Sequence, residues 1–342
     1  MVDRNTGKKN PDKTNLGICN NILNSLFNSV KVSLNDKVIN NLVDDYQYKS
    51  YIDLTCTYDS LTKGSVLIPL GYYKDDDGKF NSVNNNTGNT RRAGLFSHKV
   101  GTVTSWNETA TTFCGRLGID FDQDIINGVT VRLDFRLNDA QFLFQHEKNS
   151  TVEPRFEIES FYLLVPCADL EDTVYLNIEK GLKHSPMILP YTRKEVIVNS
   201  IPQNSENFLT DTLFSSSPYL PSRIIVGYVK TDAYLGSYTE NPYDFKKTFT
   251  GKVNGVEKTS IIDKQVLYLN GSAIDGLDGD ESILDYYNLF VNGYFADTGF
   301  TNSISLPAFV GGYYFKICDL TTAAGSGPTK LITPGIRSGH CR

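Results

Sequence analysis

The chain has 342 residues, 40% of them from the AVILMFWYC set and 21% charged, with a net charge of -6 and a pI near 5.3. This is the composition of a folded chain, long enough for one large or two ordinary domains, and it excludes disorder over most of the length. The acidic balance supplies no overall basic field for a phosphate backbone, and no run approaches the roughly 18 apolar residues of a membrane span.

With 20 Tyr and 19 Phe against 2 Met and 1 Trp, the composition favours strands, since aromatic and β-branched residues suit a pleated, half-buried surface. The short basic pairs Lys8-Lys9, Arg91-Arg92 and Lys246-Lys247 read as solvated charges. The first residues, MVDRNTGKKNPDKTN, are polar and lack an apolar core of the kind a secretory signal needs, so the chain is expected in the cell interior rather than secreted. The six cysteines (Cys19, Cys56, Cys114, Cys167, Cys318, Cys341) are far apart and form no C-x-x-C, which argues against a redox motif or metal knuckle and for buried free thiols.

In chain order, the spacing of Ile22, Leu23, Leu26, Phe27 and Val30 predicts a short amphipathic helix over 20–30. It leads into KVSLNDKVI, where Val32 and Leu34 precede an Asn-Asp turn, a β-hairpin signal. Tyr46, Tyr51, Leu54 and Tyr58 predict a second short helix. Residues 75–92, DDDGKFNSVNNNTGNTRR, show no periodicity and read as a long surface loop, extending with 93–112 to an outer tower or intersubunit surface.

Strands are expected again from FCGRLGIDF (113–121). The strict alternation of Val129, Val131, Leu133, Phe135 and Leu137 with polar residues predicts a strand with one wet face. RFEIESFYLLVPCADL predicts a further strand, and DTVYLNIEKGLKHSP a helix ending near Gly181. A second block begins at RKEVIVNSIPQNSENFL and repeats the pattern: strands at RIIVGYVK and QVLYLNGSAI, a helix in ILDYYNLFVNG, and a last strand in GGYYFKICDLT. Two β-rich blocks with helices only in connections predict an all-β chain of two sandwiches side by side.

Motifs for chemistry are absent. The four histidines are isolated, and no H-E-x-x-H, G-x-S-x-G, P-loop or G-x-G-x-x-G is present, so no catalytic residue, cofactor site or metal site is assigned and the chain is not expected to be an enzyme. Asp75–Asp77 and Asp275–Glu281 suggest calcium loops but miss the D-x-D-x-D-G-x5-E spacing and read as solvated turns.

The stretch PSRIIVGYVKTDAYLGSYTENPYDFKK, followed by LYLNG, DYYNLF and GGYYFKICDLT, resembles the major capsid (hexon-like) proteins of Polinton, or Maverick, elements and the related adintoviruses. Toward the N-terminus, NNILNSLFNSVKVSLNDKVI, YQYKSYID and INGVTVRLDFRLNDAQFLF are similar to the same family, so the ordered motifs span roughly residues 18–335. The matching positions are Leu26, Phe27, Arg223, Gly227, Asn241, Pro242, Phe245, Leu269, Gly271, Leu289, Phe290, Gly312, Asp319 and Leu320, all in structural roles.

The resemblance implies a double jelly-roll: a polar tail at 1–17, a first jelly-roll at 18–190 without its opening strand, and a second at 191–342 with incomplete C-terminal strands. It also implies a homotrimeric, pseudo-hexameric capsomer tiling an icosahedral virion shell around double-stranded DNA, with penton or minor capsid proteins as further partners and no sequence-specific nucleic-acid contact. A non-catalytic β-sandwich module for a carbohydrate or cell-surface ligand, and a degraded, non-assembling copy from an integrated element, are the alternatives.

Overall fold

The computed structural model describes residues 2–3, 16–40, 45–100, 103–106, 111–118, 128–146, 150, 153–188, 193–202, 208, 221–253, 256–262, 264–269, 272–273, 281–291 and 303–320. Strand β1 (Val2–Asp3) is followed by β2 (Leu16–Ile18), helix α1 (Ile22–Ser25), β3 (Phe27–Leu34) and β4 (Lys37–Asn40). The helix expected over 20–30 is therefore a single turn, and Phe27 and Val30 belong to the strand behind it. Both suit a strand, Phe27 as an aromatic and Val30 as a β-branched residue, and each pairs with a strand farther along the chain, Phe27 opposite Leu137 and Val30 opposite Phe135.

The β3–β4 hairpin turns at Asn35 and Asp36, both with positive φ (46° and 63°), the conformation that two-residue hairpin loops require and that Asn and Asp tolerate. Helix α2 (Tyr46–Thr57) fulfils the second helix expectation and buries Tyr46, Tyr48 and Tyr51. Helix α3 (Ser60–Lys63) follows directly, and the side chain of Asp59 before it accepts from the Thr62 N–H as its N-terminal cap. A 3-10 turn, Ile68–Leu70, leads to the segment carrying α4 (Thr87–Gly94).

The hairpin β5 (Ser97–Val100)–β6 (Val103–Trp106) comes next, then β7 (Val131–Leu137), α5 (Ala140–Leu143), β8 (Phe144–His146), β9 (Pro154–Arg155) and α6 (Asp172–His184). The C-terminal half supplies β10 (Arg223–Val226), α7 (Thr231–Leu235), the hairpin β11 (Thr248–Val253)–β12 (Val256–Ile261), and the small pair β13 (Tyr268–Leu269)–β14 (Ser272–Ala273). Helices α8 (Glu281–Val291) and α9 (Leu306–Val310) precede the last strand, β15 (Lys316–Asp319).

This architecture overturns the all-β, double jelly-roll expectation. The chain is mixed, about 31% helical and 19% strand, and among the described residues its sheets have two or three strands each. The largest has the order β4-β3-β7, with β7 antiparallel to β3 in the register Val30↔Phe135, Val32↔Leu133, Leu34↔Val131. The alternation in 129–137 located that strand correctly. Of the strands expected at 113–121, 155–170 and 193–209, the described parts at 113–118, 156–170 and 193–202 form none, because no partner strand among the described residues lies beside them to take their backbone hydrogen bonds. Residues 119–121, 203–207 and 209 lie outside the described residues.

One principal core draws on both halves of the sequence. Ile18, Ile22, Tyr51, Tyr72 and Phe144 pack with Tyr243, Phe245, Leu289, Phe309 and Phe315. At its centre the rings of Tyr51 and Tyr243 stack, centroids 3.9 Å apart and nearly parallel, and the Tyr243 hydroxyl lies 2.6 Å from Ser25 Oγ. The boundary expected at 190/191 falls at residues 189–192, outside the described residues.

Candidate assembly surface and the polar hub behind it

The motif-bearing positions converge first. Phe245 forms an isolated parallel bridge with Tyr313, its N–H donating to the Gly312 carbonyl at 3.0 Å and its carbonyl accepting from the Tyr314 N–H at 3.0 Å. Its ring lies against Phe315, centroids 4.7 Å apart. A Cβ at Gly227 would stand 2.8 Å from Phe245 Cδ1, so only glycine lets β10's continuation run beside that ring. Gly312 has φ +144°, and a Cβ there would sit 2.1 Å from the Phe80 ring.

Asn241 holds the turn that delivers Phe245. Its Oδ1 accepts from the Tyr243 N–H at 2.9 Å, its Nδ2 donates to the Phe80 carbonyl at 3.1 Å, and Pro242 is buried beside it. Leu289 lies in the same core, and Leu26 packs against it. Phe27 belongs to a satellite cluster with Val30 and Tyr46. Arg223 opens β10 opposite Asp319 of β15, and Leu320 continues that pairing through its N–H to the Ser222 carbonyl. Leu269 lies in β13 and Phe290 in α8, while Gly271 is outside the described residues.

The loop expected at 75–92 is corrected by the structure: it is wedged into the protein. Asp75, Phe80, Asn86, Asn89 and Arg92 are buried, and 87–94 is helix α4. Arg92 Nη2 reaches Asp75 Oδ1 at 2.6 Å with both side chains fully enclosed, so neither is the solvated charge that the sequence suggested. The guanidinium also donates to the carbonyls of Ile18 and Tyr73, each at 2.7 Å. Asp75 accepts from Asn86 Nδ2 (2.8 Å) and Asn20 Nδ2 (3.2 Å), and its N–H donates to the Tyr313 hydroxyl at 2.9 Å.

This hub ties four distant segments together and leaves the charges paired rather than exposed to a ligand. Nothing in a local reading pointed to it. The Asn-rich composition suggested loop chemistry, whereas these asparagines serve as caps and cross-links. Asn86, for example, accepts from the N–H groups of Gly88 and Asn89.

The cysteine expectation holds in part. Cys19, Cys56 and Cys318 are buried, and burial pushes the Cys19 and Cys56 thiols up to about 12, leaving them unreactive. Cys114 and Cys167 are exposed, and Cys341 lies outside the described residues. Elsewhere in the interior, Lys316 Nζ lies 3.6 Å from Asp285 Oδ1 and Tyr314 donates to the other carboxylate oxygen, a second enclosed ion pair joining α8 to β15.

The feature that sets the surface apart is apolar. Residues 156–170 form neither helix nor strand and have no partner strand among the described residues. Phe156 roots the segment against Phe144 (4.5 Å), and Phe161 docks on Phe135 (5.2 Å) and Phe27 (5.7 Å). Beyond that anchor, Tyr162 is 80% exposed and Leu164 82%, with Leu163 and Val165 also in solvent.

Helix α6 follows with no buried residue, although Val174, Ile178 and Leu182 form an apolar stripe at helical spacing. Met187 and Ile188 continue the apolar surface. A thirteen-residue helix with an uncovered apolar stripe is marginal in water by itself. Contiguous exposed apolar surface on this scale marks an interaction site. No helix among the described residues is long and apolar enough to cross a membrane.

The chain is 25% identical over 231 residues to the uncharacterised protein F54H12.2 of Caenorhabditis elegans, a match covering 66% of this chain and 51% of that protein. The chain thus spans about half the length of the relative it matches. No family model and no solved structure matches it.

Proposed function

We propose that this chain is a non-catalytic structural subunit that self-associates, a coat-forming protein of the capsid kind that its sequence resembles, working as a homotrimer. The observation that carries the reading is the exposed apolar belt of 158–165 and α6, with Tyr162 and Leu164 standing almost wholly in solvent. Such surface is costly on an isolated chain, at roughly 25 cal/mol per Å² kept in water, and is relieved when copies cover one another. Closed symmetric association lets each subunit use the same patch, so many modest contacts add to a stable shell. The proposal rests on this surface and not on a pair of jelly-rolls.

Light scattering after size exclusion tests it. A species at three times 38.2 kDa is expected for the purified chain. Leu164→Glu, which places a charge in the middle of the belt, is expected to shift that species to a monomer that melts as the wild type does when diluted to monomer. A wild-type chain that stays monomeric and monodisperse at all accessible concentrations would overturn the reading.

A further inference from the structure

We infer that the segment 156–171 of one copy, which forms no helix or strand of its own, adds as a third strand to the β11–β12 hairpin of a neighbouring copy, an inference that rests on the self-association proposed above. The donor is a stretch without helix or paired strand, whose backbone N–H and C=O groups, Pro166 lacking the former, find no strand in its own chain among the described residues. The acceptor is a hairpin of six residue pairs, Thr248↔Ile261 to Val253↔Val256, that forms a sheet by itself. A lone two-stranded hairpin is barely stable in water, and a third strand is what such a ribbon lacks. Strand addition supplies main-chain hydrogen bonds to both sides at once.

Charge selects the pairing. Residues 156–171 carry Glu157, Glu159, Asp169 and Glu171 and no Lys or Arg. The paired hairpin, 248–253 and 256–261, carries Lys252 and Lys258 against the single acid Glu257, while Lys246 just before it is already paired with Asp244 and Lys247 lies over the Tyr314 ring. Lysines on an open ribbon disfavour pairing of one hairpin with another, and they welcome an acidic strand.

Anchoring makes the exchange intermolecular. Phe161 holds the donor on the β3–β7 sheet through Phe27 and Phe135. The hairpin grows from the Phe245 bridge, with the Lys246 N–H on the Tyr228 carbonyl at 3.2 Å, and among the described residues the two stretches do not pair within the chain.

The test follows hydrogen exchange of full-length wild-type protein in its assembled form and diluted to monomer, with oligomeric state read by light scattering. Assembly is expected to slow exchange of the 248–253 and 256–261 amides at least about tenfold. Lys252→Glu with Lys258→Glu is expected to weaken assembly about tenfold, and adding Glu157→Lys with Glu159→Lys to the same chain to restore it. A capped peptide of residues 156–171, added to the Leu164→Glu chain, is expected to protect the same amides.

Assembly with the hairpin amides exchanging as fast as in the monomer would overturn the strand addition and leave self-association standing. A wild-type chain that never assembles, and whose hairpin the peptide does not protect, would remove both. Charge-reversed chains that melt as wild type and assemble undiminished would also count against the pairing.

Discussion

Replacing Arg92 by Met tests whether the buried hub holds the fold. Met matches much of the side chain's volume but removes the donors to Asp75 Oδ1 (2.6 Å), the Ile18 carbonyl (2.7 Å) and the Tyr73 carbonyl (2.7 Å). It leaves a fully enclosed carboxylate with only the Asn20 and Asn86 amides, and breaking one side of a buried pair costs about 3–5 kcal/mol. That is a large part of the roughly 5–15 kcal/mol that holds a typical domain folded.

Asp75→Asn alone leaves the guanidinium short of its counter-charge and is expected to cost about 2–3 kcal/mol, because Asn retains one acceptor for it. The double variant removes both charges together, so its cost should fall short of the sum of the singles by at least about 1.5 kcal/mol. Urea unfolding at a fixed low protein concentration measures all four chains. A loss below about 1 kcal/mol for Arg92→Met, or additive singles, would show that the pair is not the tie between segments 18–20, 73–75, 86–92 and 313.

Gly312→Ala places a Cβ 2.1 Å from the Phe80 ring at φ +144°, so a loss of about 2–4 kcal/mol is expected by thermal melting, and a neutral result would mean that Phe80 has room to move. Asp244 is mostly buried, its Oδ1 has no hydrogen-bond partner, and burial outweighs the neighbouring Lys246 to raise its carboxyl above the usual range. With the folded value raised, the protonated form's contribution is complete below the ordinary carboxylate pKa and is lost as pH rises through the folded one. Asp244→Asn should therefore match or exceed wild-type stability at pH 7 and lose that advantage at pH 4; a cost above about 1 kcal/mol at pH 7 would contradict this.

Local signals survived where local chemistry decides the outcome. The Asn35-Asp36 turn, α2 and β7 were legible because turn preference and side-chain period act over a few residues. The strand expectation failed at 156–170, since an apolar stretch becomes a strand only when a partner lies beside it, and among the described residues none does. The count of β-like segments then led to sandwiches that the structure does not form, because the sheets among the described residues stop at two or three strands and a stretch read as loop, 87–94, is helix α4.

The site was legible in part. Gly227, Asn241, Phe245 and Gly312 were singled out from scattered motifs and meet at one locus, as a glycine facing a ring and an asparagine closing a turn leave sequence traces. Asp75 and Arg92 did not, because a buried ion pair looks like two surface charges until distant segments are brought together.

The core and the belt divide the work of the chain in a way that ties stability to association. Hub, stacked tyrosines and the Phe245 bridge fix one arrangement of the interior, whereas α6 and the 158–165 segment have too little buried contact to be held firmly by it. Association that covers the belt binds the folded state alone, so it must raise the melting temperature as protein concentration rises. Above the dissociation constant each tenfold increase adds up to about 1.4 kcal/mol per contact formed. Melting the wild type across a hundredfold concentration range, beside Leu164→Glu, separates the effect: the wild-type midpoint should climb and the variant's should stay level. A constant wild-type midpoint in samples that light scattering shows to be assembled would mean that association leaves the fold's weakest elements uncovered, and the belt would not be the assembly surface.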